Sequence, residues 1–177
     1  MMPSSKILIT GGEGMFGSAC AKIFSKMHDV RAPGHRECDV TDQDAIFSYA
    51  SWKPDVIIHT AAIVNADYCE EHEEEARRVQ VGGTKNIVEL AKKTGAALFY
   101  PQSFLIFDGE KNPITEDTKP HPLSVYGKVK LEAEELIRNE LPTSLIVRMG
   151  GFFGGEEKDK NFVGKFARHL RTCLDGG

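Results

Sequence analysis

Tyr126 and Lys130 stand four residues apart in Y-G-K-V-K, and on a helix that Y-x-x-x-K spacing puts both side chains one turn apart on one face. The pair has a chemical use. An ammonium ion beside a phenol stabilises tyrosinate, so Lys130 is expected to draw the Tyr126 pKa down from its reference of about 10 toward working pH. A tyrosine tuned in this way passes a proton to or from a carbonyl oxygen. Ser103, at the end of an upstream apolar run, could hydrogen-bond the same oxygen as charge develops on it. Y-x-x-x-K alone is common on the surfaces of amphipathic helices. It gains weight here from a serine at a strand end and from a glycine-rich turn near the N-terminus.

That turn, T-G-G-E-G-M-F-G (Thr10 to Gly17), follows the apolar run Lys6–Thr10 and precedes apolar residues at helical spacing from Met15 to Lys26. It parses as G-x-G-x-x-G from Gly12 or as G-x-x-G-x-x-G from Gly11, with Gly14 and Gly17 common to both. Either pattern lets backbone approach a dinucleotide pyrophosphate, which the unpaired N–H groups and partial positive charge of a helix N-terminus would hold. Past a second strand, Asp29–Ala32, stand Pro33, Gly34, His35 and Arg36, with no acid for the ribose hydroxyls of NAD. Arg36 therefore favours NADP(H), with NAD(H) as the alternative, and Asp39 suits the adenine amino group.

The elements that must position these residues alternate. A helix capped by Thr41 or Asp42 runs to Trp52, a strand covers Asp55–Thr60, and a long helix from Glu74 to Lys93 stops at Gly95. Then come a strand over Ala97–Gln102, a proline-bearing loop from Phe107 to Leu123, a helix over Ser124–Asn139, a strand over Ser144–Met149 and a last helix over Asn161–Cys173. Short apolar strands alternating with helices predict an α/β fold, a doubly wound parallel sheet (Rossmann fold) forming one domain over residues 1–177. The formal net charge of −4 excludes a dominant nucleic-acid partner, and no apolar run is long enough for a membrane span, so a cytoplasmic protein is expected. The four scattered cysteines read as reduced thiols. Cys69 and His72 have C-x-x-H spacing, but no second ligand pair follows and the surrounding glutamates suit a solvated helix face, so no metal is expected.

Across nearly its whole length the chain resembles the extended short-chain dehydrogenases/reductases, and within them the dTDP-4-dehydrorhamnose reductase branch. The resemblance rests on ILITGGEGMFG, CDVTD, PDVIIHTAA, GGTKNIVELA, FDGEKNPITEDTKPHPLSVYGKVKLEAEE, VRMGGFFG and KNFV. It implies the G-x-x-G-x-x-G parse, leaving Gly12 as turn flexibility, and a catalytic group of Ser103, Tyr126 and Lys130, with Tyr126 and Lys130 also touching the cofactor. It places Gly11, Gly14, Met15, Phe16 and Gly17 at the pyrophosphate, Asp39 and Val40 at the adenine, Ala61 and Ala62 at the ribose and nicotinamide, and Phe107 and Asp108 beside the active site. The implied reaction is NADP(H)-dependent reduction of a nucleotide-linked 4-keto-6-deoxy sugar. A nucleotide sugar is then the expected partner, and a homodimer is left open.

The chain also departs from the branch. An acid and a tyrosine near the substrate become Phe104 and Leu105, and the asparagine of V-N-x-x-G becomes Gln80, which is expected to disturb a proton relay. The chain is expected to be the N-terminal portion of a longer reductase that lacks most of the substrate-binding region. Two further readings follow: a sugar-nucleotide epimerase or dehydratase of the same superfamily, or a non-catalytic, cofactor-binding regulatory subunit. Lys165, Arg168, His169 and Arg171 form a basic patch on the last helix, better suited to solvent or a sugar-nucleotide phosphate than to nucleic acid.

Overall fold

In the computed structural model, residues 4–152 and 162–175 are described. Five parallel strands, β1 (Lys6–Thr10), β2 (Asp29–Arg31), β3 (Val56–His59), β4 (Ala97–Ser103) and β5 (Leu145–Met149), form one sheet in the order β2-β1-β3-β4-β5. Side-chain alternation divides the core between two faces. Ile7, Ile9 and Ile58 meet Phe16, Cys20 and Phe24 of α1 (Met15–Phe24) on one face. Leu8, Ile57, Leu98 and Tyr100 point the other way and pack with α2 (Gln43–Phe47), α5 (Gly83–Thr94) and α6 (Val125–Glu140) through Ile46, Ile87, Leu90, Ala133 and Ile137. Burial on both faces is why the central strands β1 and β3 are near-continuous apolar runs, whereas the edge strand β2 is Asp-Val-Arg with exposed ends.

The chain winds outward from β1 to β2, then crosses back to place β3 on the other side of β1. The carboxyl ends of β1 and β3 therefore flank the point where winding reverses, the usual ligand crevice of an open α/β sheet. Local signals hold the ends of the elements in place. Asp42 accepts from the N–H groups of Asp44 and Ala45 at 2.9 and 3.2 Å to start α2, which continues as a 3-10 turn to Trp52. Ser124 accepts from Gly127 N–H at 3.0 Å to start α6, and Gly95, at φ 76°, ends α5.

The expected single helix from Glu74 to Lys93 is broken. A short helix α3 (Ala66–Glu71), capped by Asn65, precedes α4 (Glu73–Arg77), and a π turn over Arg78–Gly82 separates α4 from α5. The extra residue in a π turn rotates side chains off the helical stripe, here bringing Gln80 into the interior. Helical periodicity cannot reveal such an insertion, because the apolar residues before and after it remain in phase with their own segments. The last helix, α7, spans Phe162–Asp175, and Lys165, Arg168, His169 and Arg171 are exposed on it. No helix among the described residues is long and apolar enough to cross a membrane.

Candidate active site

The glycine turn lies at the switch point. Gly11 has φ 69°, and a β-carbon there would sit 2.8 Å from the backbone nitrogen of Ala61 in the loop after β3. A β-carbon on Gly17 would fall 2.4 Å from Gly11 O, so α1 packs directly on the turn. Gly12 is more than turn flexibility: a β-carbon there would lie 2.1 Å from the carbonyl oxygen of Ala32, and its N–H donates to Pro33 O at 3.0 Å. Gly12 and Ala32 follow the carboxyl ends of the adjacent parallel strands β1 and β2, which brings the two turns together, so both overlapping glycine patterns carry a physical requirement.

Gly14 starts α1 without a side-chain cap, and no acid stands in the first turn. The positive end of its dipole therefore favours an anion there. Met15 is exposed at the mouth, whereas Phe16 turns inward and stacks on Phe152 with ring centres 4.9 Å apart. Ala61 and Ala62 are half-buried in the facing loop. Arg36 is exposed in the turn after β2 and joins no ion pair among the described residues. Asp39 is half-buried and accepts from the Thr41 backbone and hydroxyl, both at 2.9 Å; burial alone would raise its pKa, but these bonds hold it below the usual carboxylate value. Val40 is buried beside it.

Ser103 ends β4, and Tyr126 and Lys130 lie one turn apart on α6, all at the carboxyl edge of the sheet. Tyr126 is 8% and Lys130 5% exposed. The expected downward shift of the Tyr126 pKa is not found: burial raises it, although the Ser103 hydroxyl faces the phenol closely enough to pull part of the way back. The reason is where Lys130 goes. Its Nζ donates to Pro101 O at 3.2 Å and lies 4.0 Å from the centre of the Tyr100 ring. Burial pushes the ammonium pKa down to about 7, partly opposed by Glu134. Removal from water penalises charge on both members of the pair, so adjacency alone does not yield a tyrosinate.

Beneath this pair runs a buried polar layer that spacing did not reveal. Thr84 donates to Gln80 O and so presents its oxygen to His59 Nε2–H at 3.1 Å, leaving His59 Nδ1 to accept from Thr10 at 2.8 Å. His59 is neutral there, its pKa lowered to about 3 by burial and by Lys130. The Gln80 amide accepts from Ile63 N–H and donates to Ile63 O, each at 3.0 Å, anchoring the loop that carries Ala61 and Ala62. On the far side of Lys130, Glu134 is 1% exposed and accepts from Gln102 and Arg148 at 2.9 and 2.7 Å. A carboxylate on the buried stripe of α6, four residues after Lys130, was the available signal.

Phe107 and Asp108 open a loop closed at its base by Asp108 and His121, whose Oδ2 and Nδ1 are 2.8 Å apart. A cleft of about 280 Å³ in that loop is lined by Phe107, Asp108, Lys111 and His121, but not by Ser103, Tyr126 or Lys130. Phe104 and Leu105 are exposed beside Ser103. Cys69 is buried against Tyr126 and Val129, while His72 stacks on Tyr68 with ring centres 4.0 Å apart.

The model of one family, described as RmlD substrate binding domain, matches residues 5–173 and so spans the glycine turn, the strand-end serine and the Y-x-x-x-K helix. The chain belongs to that family. It is 36% identical over 163 residues to the dTDP-4-dehydrorhamnose reductase of Aggregatibacter actinomycetemcomitans, covering 90% of this chain and 55% of that protein. It is 35% identical over 166 residues to methionine adenosyltransferase 2 subunit beta of Xenopus laevis, covering 89% of this chain and 50% of that one. The fold matches dTDP-4-dehydrorhamnose reductase from Bacillus anthracis, solved in complex with NADP, at a TM-score of 0.89 and 23% identity, over 97% of this chain and 61% of that one. The chain thus spans about half the length of the curated relatives it matches.

Proposed function

We propose that this chain is the cofactor-binding and proton-transfer portion of an NADP(H)-dependent reductase acting on a nucleotide-linked 4-keto-6-deoxy sugar. The convergence of Ser103, Tyr126 and Lys130 beside the crevice between Gly11 and Ala61 carries this reading. The crevice suits a dinucleotide, because Gly11 and Gly17 let α1 and the loop after β3 close tightly on the turn, and α1 begins there with no side-chain cap and the positive end of its dipole. Gly11, Gly14, Met15, Phe16 and Gly17 would hold the pyrophosphate, Arg36 a 2'-phosphate, Asp39 and Val40 the adenine, and Ala61, Ala62 and Lys130 the nicotinamide side.

A bound nicotinamide supplies the hydride. The chain's own residues manage the proton. Tyr126, neutral because burial raises its pKa, donates to the carbonyl oxygen as charge develops there, and Ser103 hydrogen-bonds the same oxygen. Lys130, held under the site by Pro101 O, provides the positive charge that favours tyrosinate once the proton has left.

The test is to incubate the protein with NADPH and a dTDP-linked 4-keto-6-deoxy sugar and to follow absorbance of the reduced cofactor, with Tyr126→Phe as control. Consumption abolished by the variant supports the reductase. The likeness to a subunit of methionine adenosyltransferase favours a second reading, a cofactor-binding regulatory subunit. NADPH that binds but is not consumed with any of several keto sugars would select it.

A further inference from the structure

Lys130 is a cation almost entirely removed from water, and a buried ammonium stays charged only where an opposite charge or strong acceptors face it. Several groups surround it. Tyr100 of β4 lies under its Nζ, and His59 of β3 is close enough to feel its charge. Tyr126 lies one turn earlier on α6, and Thr84 of α5 is occupied with Gln80 and His59. Burial keeps His59 uncharged and raises the pKa of both tyrosines, so none of them offers a negative charge at neutral pH. Glu134 does.

Burial alone would raise the Glu134 pKa, but hydrogen bonds from Arg148, Gln102 and Arg138 outweigh it and hold the carboxylate below its usual value. Arg148 donates from β5 at 2.7 Å and Arg138 from α6 at 2.9 Å. Gln102 ties the cluster to the chemistry. Its Nε2 donates to both Glu134 Oε2 and Lys130 O at 2.9 Å, while its Oε1 accepts from the N–H of Ser103 at 2.8 Å. One side chain thereby fixes the end of β4, where Ser103 stands, against the turn of α6 that carries Lys130.

We propose that Glu134, acting through Gln102, is a positioning residue for the candidate catalytic group: it sets the register of α6 against the end of β4 and, one turn beyond Lys130, favours the charged form of that side chain. The inference rests on the reductase reading for its consequence to catalysis, but not for its test. A carboxylate serving only to hold the fold would affect melting and leave the Lys130 titration where it is.

The experiment is an NMR pH titration of protein carrying 13Cε-lysine, with the Lys130 signal identified by its absence in Lys130→Arg. Burial sets the wild-type midpoint at about 7. In Glu134→Gln the midpoint falls by about one pH unit or more. Measured against Arg148→Met alone, the midpoint of the double variant Glu134→Gln, Arg148→Met, which leaves no uncompensated half of the buried ion pair, falls as well, because this comparison removes the carboxylate without an opposing cation. Where NADPH oxidation is measurable, the alkaline limb of its pH profile moves down by the same amount. An unmoved Lys130 midpoint in Glu134→Gln against wild type, or in the folded double variant against Arg148→Met, overturns the proposal, whatever happens to melting. A protein that consumes no NADPH with any keto sugar still yields the titration, so the two readings fail separately.

Discussion

The glycine turn after β1 and the first three turns of α6 pack on the same sheet but are built by opposite means. The turn is made of backbone. Its requirements are a left-handed residue at Gly11 and two approaches, at Gly12 and Gly17, too close for any β-carbon. The α6 side is made of buried side chains, Tyr126, Lys130 and Glu134, whose ionisation is set by burial and by partners from β4 and β5. A backbone site tolerates change in neighbouring side chains but not an added carbon. A buried polar site tolerates neither a lost partner nor a lost charge.

The contrast predicts a clean separation of binding from chemistry. Tyr126→Phe should lower NADPH consumption about a thousandfold while leaving NADPH affinity, read by fluorescence titration, within a few fold. Loss of both together would mean that the two regions are not independent. Within the turn, Gly12→Ala should destabilise by roughly 3 kcal/mol, because the Ala32 carbonyl must move. That is a fall in Tm of about 10 °C for a chain of this size. Gly14→Ala, whose β-carbon would lie 3.1 Å from Gly11 O, should cost less than about 1 kcal/mol. Equal melting of the two variants would remove Gly12 from the set of required glycines.

The buried side should also show itself in pH dependence. Folded Lys130 loses its proton near pH 7, whereas in the unfolded chain it keeps it to about 10.4. Between those values the unfolded state binds the extra proton, so stability rises with pH through this window and the contribution is least favourable at and below pH 7. Relative to Lys130→Met, the wild type should gain up to about 2 kcal/mol between pH of about 7 and about 8.5, measured by denaturant unfolding. Parallel curves would show that Lys130 titrates normally. A modest effect is expected at the exposed end of the turn side. Arg36→Ala should weaken NADPH about tenfold and NADH hardly at all, and equal losses would sink the 2'-phosphate assignment.

Most of the fold was legible in the chain. The strands at Lys6–Thr10, Asp29–Arg31 and Val56–His59 lie within a residue or two of the apolar runs that announce them, and the caps at Asp42, Ser124 and Gly95 are where short polar side chains or glycine stand. The helix through Gln80 was misread, because a π turn leaves no mark on periodicity. The pairing of Tyr126 with Lys130 was legible as spacing, but the sign of the Tyr126 shift was not.

By itself the sequence determined the alternation of elements, the glycine turn and the i, i+4 placement of Tyr126, Lys130 and Glu134, because these follow from local backbone geometry and helical pitch. Only the tertiary structure decided that Gly12 meets Ala32, that Lys130 turns to Pro101 and Tyr100 instead of simply lowering the Tyr126 pKa, and that Glu134 is held by Gln102 and Arg148. Those contacts join residues far apart in the chain. Their energies depend on how much water the packed strands and helices exclude, which no spacing in the sequence records.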